Sequence, residues 1–238
     1  MRLNKGTERV VIISDLQIPY EHPDALSFVA TVEEAVAATR VVCIGDEVDQ
    51  HALSRFDMDP DAEGAGPELT KSVKRLKKWY KMFPKVDVVM SNHTQRVYKQ
   101  AFLAGIPEQY LRPVNEWLQA PEGWTWHDFI DIDGVRYEHG DAQGGMYAAR
   151  NLAVRNRQST VIGHHHSHGG VLYVANNSEM IFGLNTGCLI DQQSLAFKYG
   201  KNSAFKPTLG CGVVLEGVPY FVPMFTGPKG RWTGEIVV

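Results

Sequence analysis

Five short runs rich in β-branched residues each hand over, at the C-terminal end, to a side chain able to hold a metal ion or a proton. Val10-Val11-Ile12-Ile13 leads into Ser14-Asp15, Val41-Val42-Cys43-Ile44 into Gly45-Asp46, and Val86-Asp87-Val88-Val89-Met90 into Ser91-Asn92-His93. Val135-Arg136-Tyr137 leads into Glu138-His139-Gly140-Asp141, and Thr160-Val161-Ile162 into Gly163-His164. Short apolar runs of this kind read as buried strands of a largely parallel sheet. In open α/β sheets the crevice beyond the carboxyl ends of the strands collects residues distant in sequence, and ligands bind there. Four of the chain's nine histidines, His164, His165, His166 and His168, crowd one such end.

The segments between the strands carry helical spacing. Phe28, Val29, Val32 and Val36 predict a helix over 23–39 that starts at Pro23, and Leu69, Val73, Leu76, Tyr80 and Phe83 predict a second over 67–83. Lys71, Lys74, Arg75, Lys77, Lys78 and Lys81 surround that second stripe; such a face is either solvated surface or a contact for a polyanion. A third pattern runs from Met146 to Arg157 behind Gly144-Gly145, which reads as a turn or an anion-binding helix start. Residues 50–66, with Asp57, Asp59, Asp61 and Glu63, read as a loop, and 105–128, with Trp117, Trp124 and Trp126, as an irregular excursion. The three tryptophans are read as local core or as a stacking platform for bases. Beyond His168 the chain turns to hairpins over 171–175, 180–184, 212–216 and 219–225. No linker divides the chain, so 1–238 is expected to form one domain.

Composition sets the remaining bounds. With 238 residues, 44% apolar and 21% charged, the chain has enough apolar surface for a sizeable core, and its net charge of -3 gives no global attraction to nucleic acid or acidic membranes. Cys43, Cys188 and Cys211 are scattered and fit no disulfide or C-x-x-C scheme, so they are expected to be reduced core residues. No apolar leader or bilayer-length run is present, and a cytoplasmic location is expected, in the host cytoplasm if the chain is phage-encoded.

Taken in order, Asp15-x-Gln17, Gly45-Asp46-x-x-Asp49, Asn92-His93, His139-Gly140 and Gly163-His164-x-His166 resemble the motif series of the calcineurin-like metallophosphoesterases, over roughly residues 8 to 190. The Asp-Leu-Gln-x-Pro opening is most similar to small bacteriophage and bacterial members. The resemblance implies an α/β chain folded as a four-layer αββα sandwich, two mixed β-sheets flanked by helices. It implies a hydrolase holding two divalent cations, Mn²⁺ first, with Zn²⁺, Ni²⁺, Fe or Mg²⁺ as the other ions such sites take. One metal would take Asp15, Gln17, Asp46 and His166, the other Asp46, Asn92, His139 and His164, with Asp46 as the bridge. A hydroxide shared by the metals would attack the phosphorus of a phosphate ester. His93 would serve as general acid or positive stabiliser beside the leaving oxygen, kept protonated by Asp49 one helical turn after Asp46, and Arg96 and His165 would contact the phosphate.

Some readings stay open. Asp15 and Asp46 also suit helix N-caps, Asn92 a turn, His139 a satisfied strand end, and His166-x-His168 is a rival register for the ligand pair. Phosphodiester or nucleotide-type substrates are favoured; the alternatives are a phosphomonoesterase or protein phosphatase, a DNA-processing nuclease, and a non-catalytic interaction scaffold. The partner expected is the phosphate-ester substrate, with nucleic acid as a further candidate, no membrane, and an oligomeric state that sequence does not set. Three residues depart from the family pattern: Gln17 replaces a histidine, Ser91 a glycine, and Thr94 the acid that follows His93. A neutral amide oxygen is a harder and weaker donor than imidazole, so the first metal is expected to be the looser one and to prefer Mn²⁺.

Overall fold

The computed structural model describes residues 6–55, 61–194 and 206–238; Asp57 and Asp59 of the expected loop lie outside the described residues. Four parallel strands, β1 (Arg9–Ile13), β2 (Arg40–Cys43), β3 (Val86–Val89) and β4 (Trp124–His127), stand side by side in the first sheet. The second sheet is built from β5 (Ile130–Ile132), β6 (Val135–Tyr137), β7 (Ser159–Ile162), β8 (Gly169–Ala175) and β9 (Met180–Thr186), in the order β5-β6-β7-β9-β8. Its three inner strands are parallel and its two edges antiparallel. The chain then returns to the first sheet, where β10 (Gly210–Leu215) pairs antiparallel with β1, and β11 (Val218–Pro223) with β10.

Strand alternation sorts the core into layers. Val11 and Ile13 of β1 point to α1 (Ala25–Ala35) and α2 (Ala65–Met82), in one cluster with Phe28, Val32, Leu76 and Trp79. Their neighbours Val10 and Ile12 point the other way, onto Tyr137, Val161, Phe182 and Leu184 of the second sheet. Two short helices, α3 (Arg96–Leu103) and α4 (Val114–Trp117), follow β3 at the edge. On the outer face of the second sheet lies α5 (Ala148–Asn156), where Ala148, Ala149 and Leu152 pack on Ile162. Gly183 of β9 lets that helix sit directly on the sheet, since a Cβ there would stand 2.3 Å from the backbone carbon of Ala149. Two mixed sheets face each other with helices outside both, the four-layer arrangement expected. Leu76 is fully buried, so Leu76→Ala should cost about 2–5 kcal/mol.

The structure corrects several local readings. The 105–128 stretch is not wholly irregular: after a single 3-10 turn at 108–110 and α4, it supplies β4 as the edge strand beside β3. Trp124 is buried there with its indole N–H donated to the carbonyl of Phe83, so it serves as core. Trp117 and Trp126 pack partly buried on the same cluster. The first helix runs from Ala25 to Ala35, shorter than the expected 23–39: Pro23 and Asp24 form the turn before it, and the Asp24 carboxylate grips the Arg231 guanidinium. Residues 46–49 are not a helical turn: Asp46 is left-handed, Glu47 lies in a bend and Val48 is bridged to Ile18. Gly144 and Gly145 belong to a turn before α5, not to its first residues. All three cysteines are free and buried, and among the described residues no helix is long and apolar enough to cross a membrane.

Candidate metal centre

The strand ends converge because the backbone there is bent into left-handed conformations that side-chain-bearing residues seldom adopt. Asp15 (φ 50°), Gln17 (φ 48°), Asp46 (φ 52°) and His164 (φ 64°) all take positive φ, each at a cost on the order of 1–3 kcal/mol. Interlocking hydrogen bonds hold the bends. The amide of Asp15 donates to the carbonyl of Gly45, that of Gln17 to the carbonyl of Asp46, and that of Gly163 to the carbonyl of His139, at 3.2, 2.8 and 3.0 Å. Gly163 is required by close approach: a Cβ would fall 1.8 Å from Ser14 Oγ and 2.5 Å from Asp15 Oδ2. Gly45, at φ 96°, likewise leaves room for His139, whose Nδ1 would lie 2.9 Å from a Cβ there.

Two donor clusters result, Asp15 with Asp46 and His166, and Asp46 with His139 and His164; within each, the ligand atoms lie within 4.8 Å of one another. Asp46 belongs to both. His166 Nε2 is 3.0 Å from Asp15 Oδ1, and His139 Nε2 is 3.4 Å from Asp46 Oδ1 and 3.2 Å from His164 Nδ1. Asn92 joins the second cluster through Oδ1, 2.8 Å from His139 Nε2. Gln17 joins the first, its Nε2 3.0 Å from His166 Nε2, while its buried Oε1 has no hydrogen-bond partner. On the far side His139 Nδ1 donates to the carbonyl of Ile44 at 2.9 Å, the outer contact that fixes a ligating imidazole with Nε2 facing the site.

Electrostatics keep the carboxylates ionised despite complete burial. Burial pushes the Asp15 carboxyl up, but the hydrogen bond and charge of His166 outweigh it and hold it below the usual range. Burial acts on Asp46 in the same way and is overcome by His139 and His93, leaving it well below the usual range. His139 and His166 are pushed down by burial and up, by more, by Asp46 and Asp15. His164, partly buried beside His139, is lowered to about 4 and is a neutral donor at neutral pH. Ionised carboxylates, amide oxygens and imidazoles crowded at one buried point, with an amide oxygen left unpartnered, fit the coordination demands of divalent cations.

The other sequence candidates stand around these clusters. His93 lies outside both, its Nε2 3.6 Å from Asp46 Oδ2 and its Nδ1 3.0 Å from Asp49 Oδ1, an ion-pair distance whose angle is off that of a hydrogen bond. Burial lowers its pKa, but the two carboxylates raise it further. Arg96 Nη2 lies 2.9 Å from His93 Nε2, and its Nη1 donates to the carbonyls of Asp49 and Gln50 at 2.7 and 3.2 Å. His165 is not brought into either cluster: its Nε2 meets the carbonyl of Gln143 at 2.7 Å, and burial lowers its pKa. His168 contacts Ser167, so the pair that meets the carboxylates is His164 and His166. On α2, Lys71 pairs with Glu63 at 2.5 Å and Arg75 with Glu21 at 2.6 Å, which neutralises part of its basic face.

Sequence reading overlooked Glu47. Fully buried beside Asp46, it accepts from Thr94 Oγ1 and from the Trp126 indole, each at 3.2 Å, and Thr94 in turn contacts Ser91 Oγ at 3.0 Å. Burial raises its pKa to about 7. Thr94, where the motif series has an acid, is thus the partner of one buried acid, and Ser91 braces Thr94. The clue in sequence was their joint occurrence with an acid after Gly45-Asp46. Gln50 and His51, placed in the loop, also carry buried polar atoms without hydrogen-bond partners near Asp49.

No sequence profile of a known family matches the chain, and no curated protein matches it. Among solved structures it is similar to Yfce, a phosphoesterase from E. coli, at 18% identity and a TM-score of 0.42, over 96% of this chain and 98% of that one. It is also similar to Vacuolar Protein Sorting 29 from Cryptosporidium parvum, at 15% identity and 0.46, over 97% and 96%. A third similar structure is TT1561 of Thermus thermophilus, at 10% identity and 0.35, over 76% and 90%.

Proposed function

We propose that the chain is a metal-dependent phosphoesterase of the calcineurin-like kind, acting on phosphodiester or nucleotide-type substrates. One observation carries the reading: the Asp46 carboxylate is common to two donor clusters, as a bridging ligand between two cations must be. Asp15, Gln17, Asp46 and His166 would hold one cation, and Asp46, Asn92, His139 and His164 the other. Two divalent cations held there would neutralise charge on a phosphate ester and lower the pKa of a water beside it. The protein's own groups then place and protonate the substrate. His93, between Asp46 and Asp49, is kept ready to carry a proton, and its Nε2 is the atom that would give it to the leaving oxygen. Arg96 stands ready behind that atom: once Nε2 has lost its proton, the guanidinium donates to it, so the neutral ring is not left unpartnered.

The test is a panel of mono- and diesters, with single-stranded and duplex DNA, assayed with Mn²⁺, Mg²⁺, Zn²⁺ and Ni²⁺ alongside metal analysis. Close to two ions per chain are expected, with hydrolysis lost in EDTA and restored by Mn²⁺. His93→Ala should keep both ions and lose kcat by about 10²- to 10⁴-fold. Two bound ions with no hydrolysis of any ester would leave a metal-holding scaffold instead.

A further inference from the structure

A groove of about 1450 Å³ runs away from the candidate metal centre between the 53–55 loop, α3, the 106–115 stretch and β4, and nothing in the proposed chemistry uses it. Its inner end is continuous with the site, because Asn92 and Arg96 are part of its wall. At that size it exceeds the roughly 300–1,000 Å³ that a small-molecule ligand fills, so it suits a substrate extending well past its scissile group.

Its charge runs against that of the whole chain. Arg55, Arg96, Lys99 and Arg112 line it with only Glu108 and Glu122 opposed, in a protein of net charge -3. Among the described residues neither Lys99 nor Arg112 has an ion-pair partner, unlike Lys71 and Arg75 on α2. Tyr98, Phe102 and Trp126 also line it; Phe102 is 81% exposed and the other two are half-buried. Cations alternating with accessible rings are how a protein tracks a single nucleic-acid strand, the cations meeting phosphates and the rings meeting bases. A purely apolar occupant would leave the cations unpaired, and a rigid duplex would not bring base faces to the rings.

We propose that this groove binds single-stranded nucleic acid, so that a strand enters the metal centre with its phosphate at the Asn92 and Arg96 end and the neighbouring nucleotides laid along α3. This inference rests on the phosphoesterase reading and specifies its substrate; it also moves the polyanion contact from the basic face of α2 to α3 and the 106–115 stretch.

Binding is measured apart from turnover, by fluorescence anisotropy of labelled twelve-residue thymidine and uridine oligonucleotides and a matched duplex, on the full chain in EDTA across a salt series. The single strands should bind at least tenfold more tightly than the duplex, and the two sugars in separate arms show whether the source is DNA or RNA. Lys99→Glu with Arg112→Glu should weaken binding at least tenfold and flatten the salt slope by about 0.7 for each lost phosphate contact. Phe102→Ala should weaken it roughly tenfold with the slope unchanged. All three residues are exposed, so the fold should survive, and hydrolysis of bis(4-nitrophenyl) phosphate should stay within twofold. Lys77→Glu with Lys81→Glu on α2 should leave binding unaltered. Strand binding that follows the α2 pair instead, equal affinity for duplex, or no strand binding by a chain that still cleaves the small diester overturns the groove and spares the phosphoesterase reading. Groove-dependent strand binding by a chain that hydrolyses no ester does the reverse.

Discussion

The two halves of the candidate metal centre share Asp46 but are built to different standards. Around the second half, His139 is almost sealed, with its side chain 2% exposed, and its two nitrogens face Ile44 and the Asn92 carbonyl. In the first half Asp15 and Gln17 are just as sealed and the His166 side chain is 24% exposed, but a single imidazole serves it, and its remaining donor is the amide of Gln17, whose oxygen has no partner. A site whose ligands are fixed before the ion arrives loses less entropy on binding, and imidazole holds borderline ions more strongly than a neutral amide. The second half should therefore fill first and the first half last, in two resolved phases of a metal titration.

The change that breaks this comparison most completely is Asp46→Asn. Asparagine tolerates the same left-handed backbone, so the fold should stand while both phases of a calorimetric Mn²⁺ titration vanish and hydrolysis drops on the order of 10³-fold or more. Survival of either phase would show that Asp46 serves one ion only. His139→Ala should remove the tight phase and leave the weak one, reducing bound ions from two to one by metal analysis; loss of both would mean that the halves do not fill independently. A smaller effect should follow Gln17→His: the weak phase tightens, preference shifts from Mn²⁺ towards Zn²⁺ or Ni²⁺, and kcat at saturating Mn²⁺ stays within about tenfold. An unchanged weak phase would remove residue 17 from the ligand set.

Least visible in metal binding should be Glu47→Gln, which acts on stability. A carboxyl raised from 4.5 to about 7 contributes stability that is complete below about pH 4.5 and is lost as pH rises through about 7. The glutamine variant lacks that loss. In EDTA its unfolding free energy should match the parent near pH 5 and exceed it at pH 8, by up to on the order of 3 kcal/mol. Parallel free energies over that range would show that Glu47 stays ionised in the folded chain.

What the sequence made legible follows the physics of each element. Val10 to Ile13 and Val41 to Cys43 announce themselves because strands buried on both faces are apolar throughout. β4 was missed because its Trp-Thr-Trp-His run is half exposed at an edge, and β5 because its three residues lead to no histidine that marks a strand end, as His139 marks β6. Within the site, the residues that meet were readable from their order along the chain, since each sits just past a strand. Glu47 was not, because an acid buried without a metal is legible only through its partners Thr94 and Trp126, one of them 79 positions away. The non-helical path from Asp46 to Asp49 was hidden by a spacing that fits a helical turn equally well.

The left-handed backbone at positions 15, 17, 46 and 164 also governs how this site is free to change over generations. Asn, Asp and His are enriched in that conformation, glycine is at ease there, and β-branched residues are all but shut out. Each of the four positions thus draws from a short alphabet in which carboxylate, amide and imidazole interchange. A substitution within that alphabet keeps the backbone bend and changes only the donor atoms, so the donor set at these positions can be altered without refolding the strand ends.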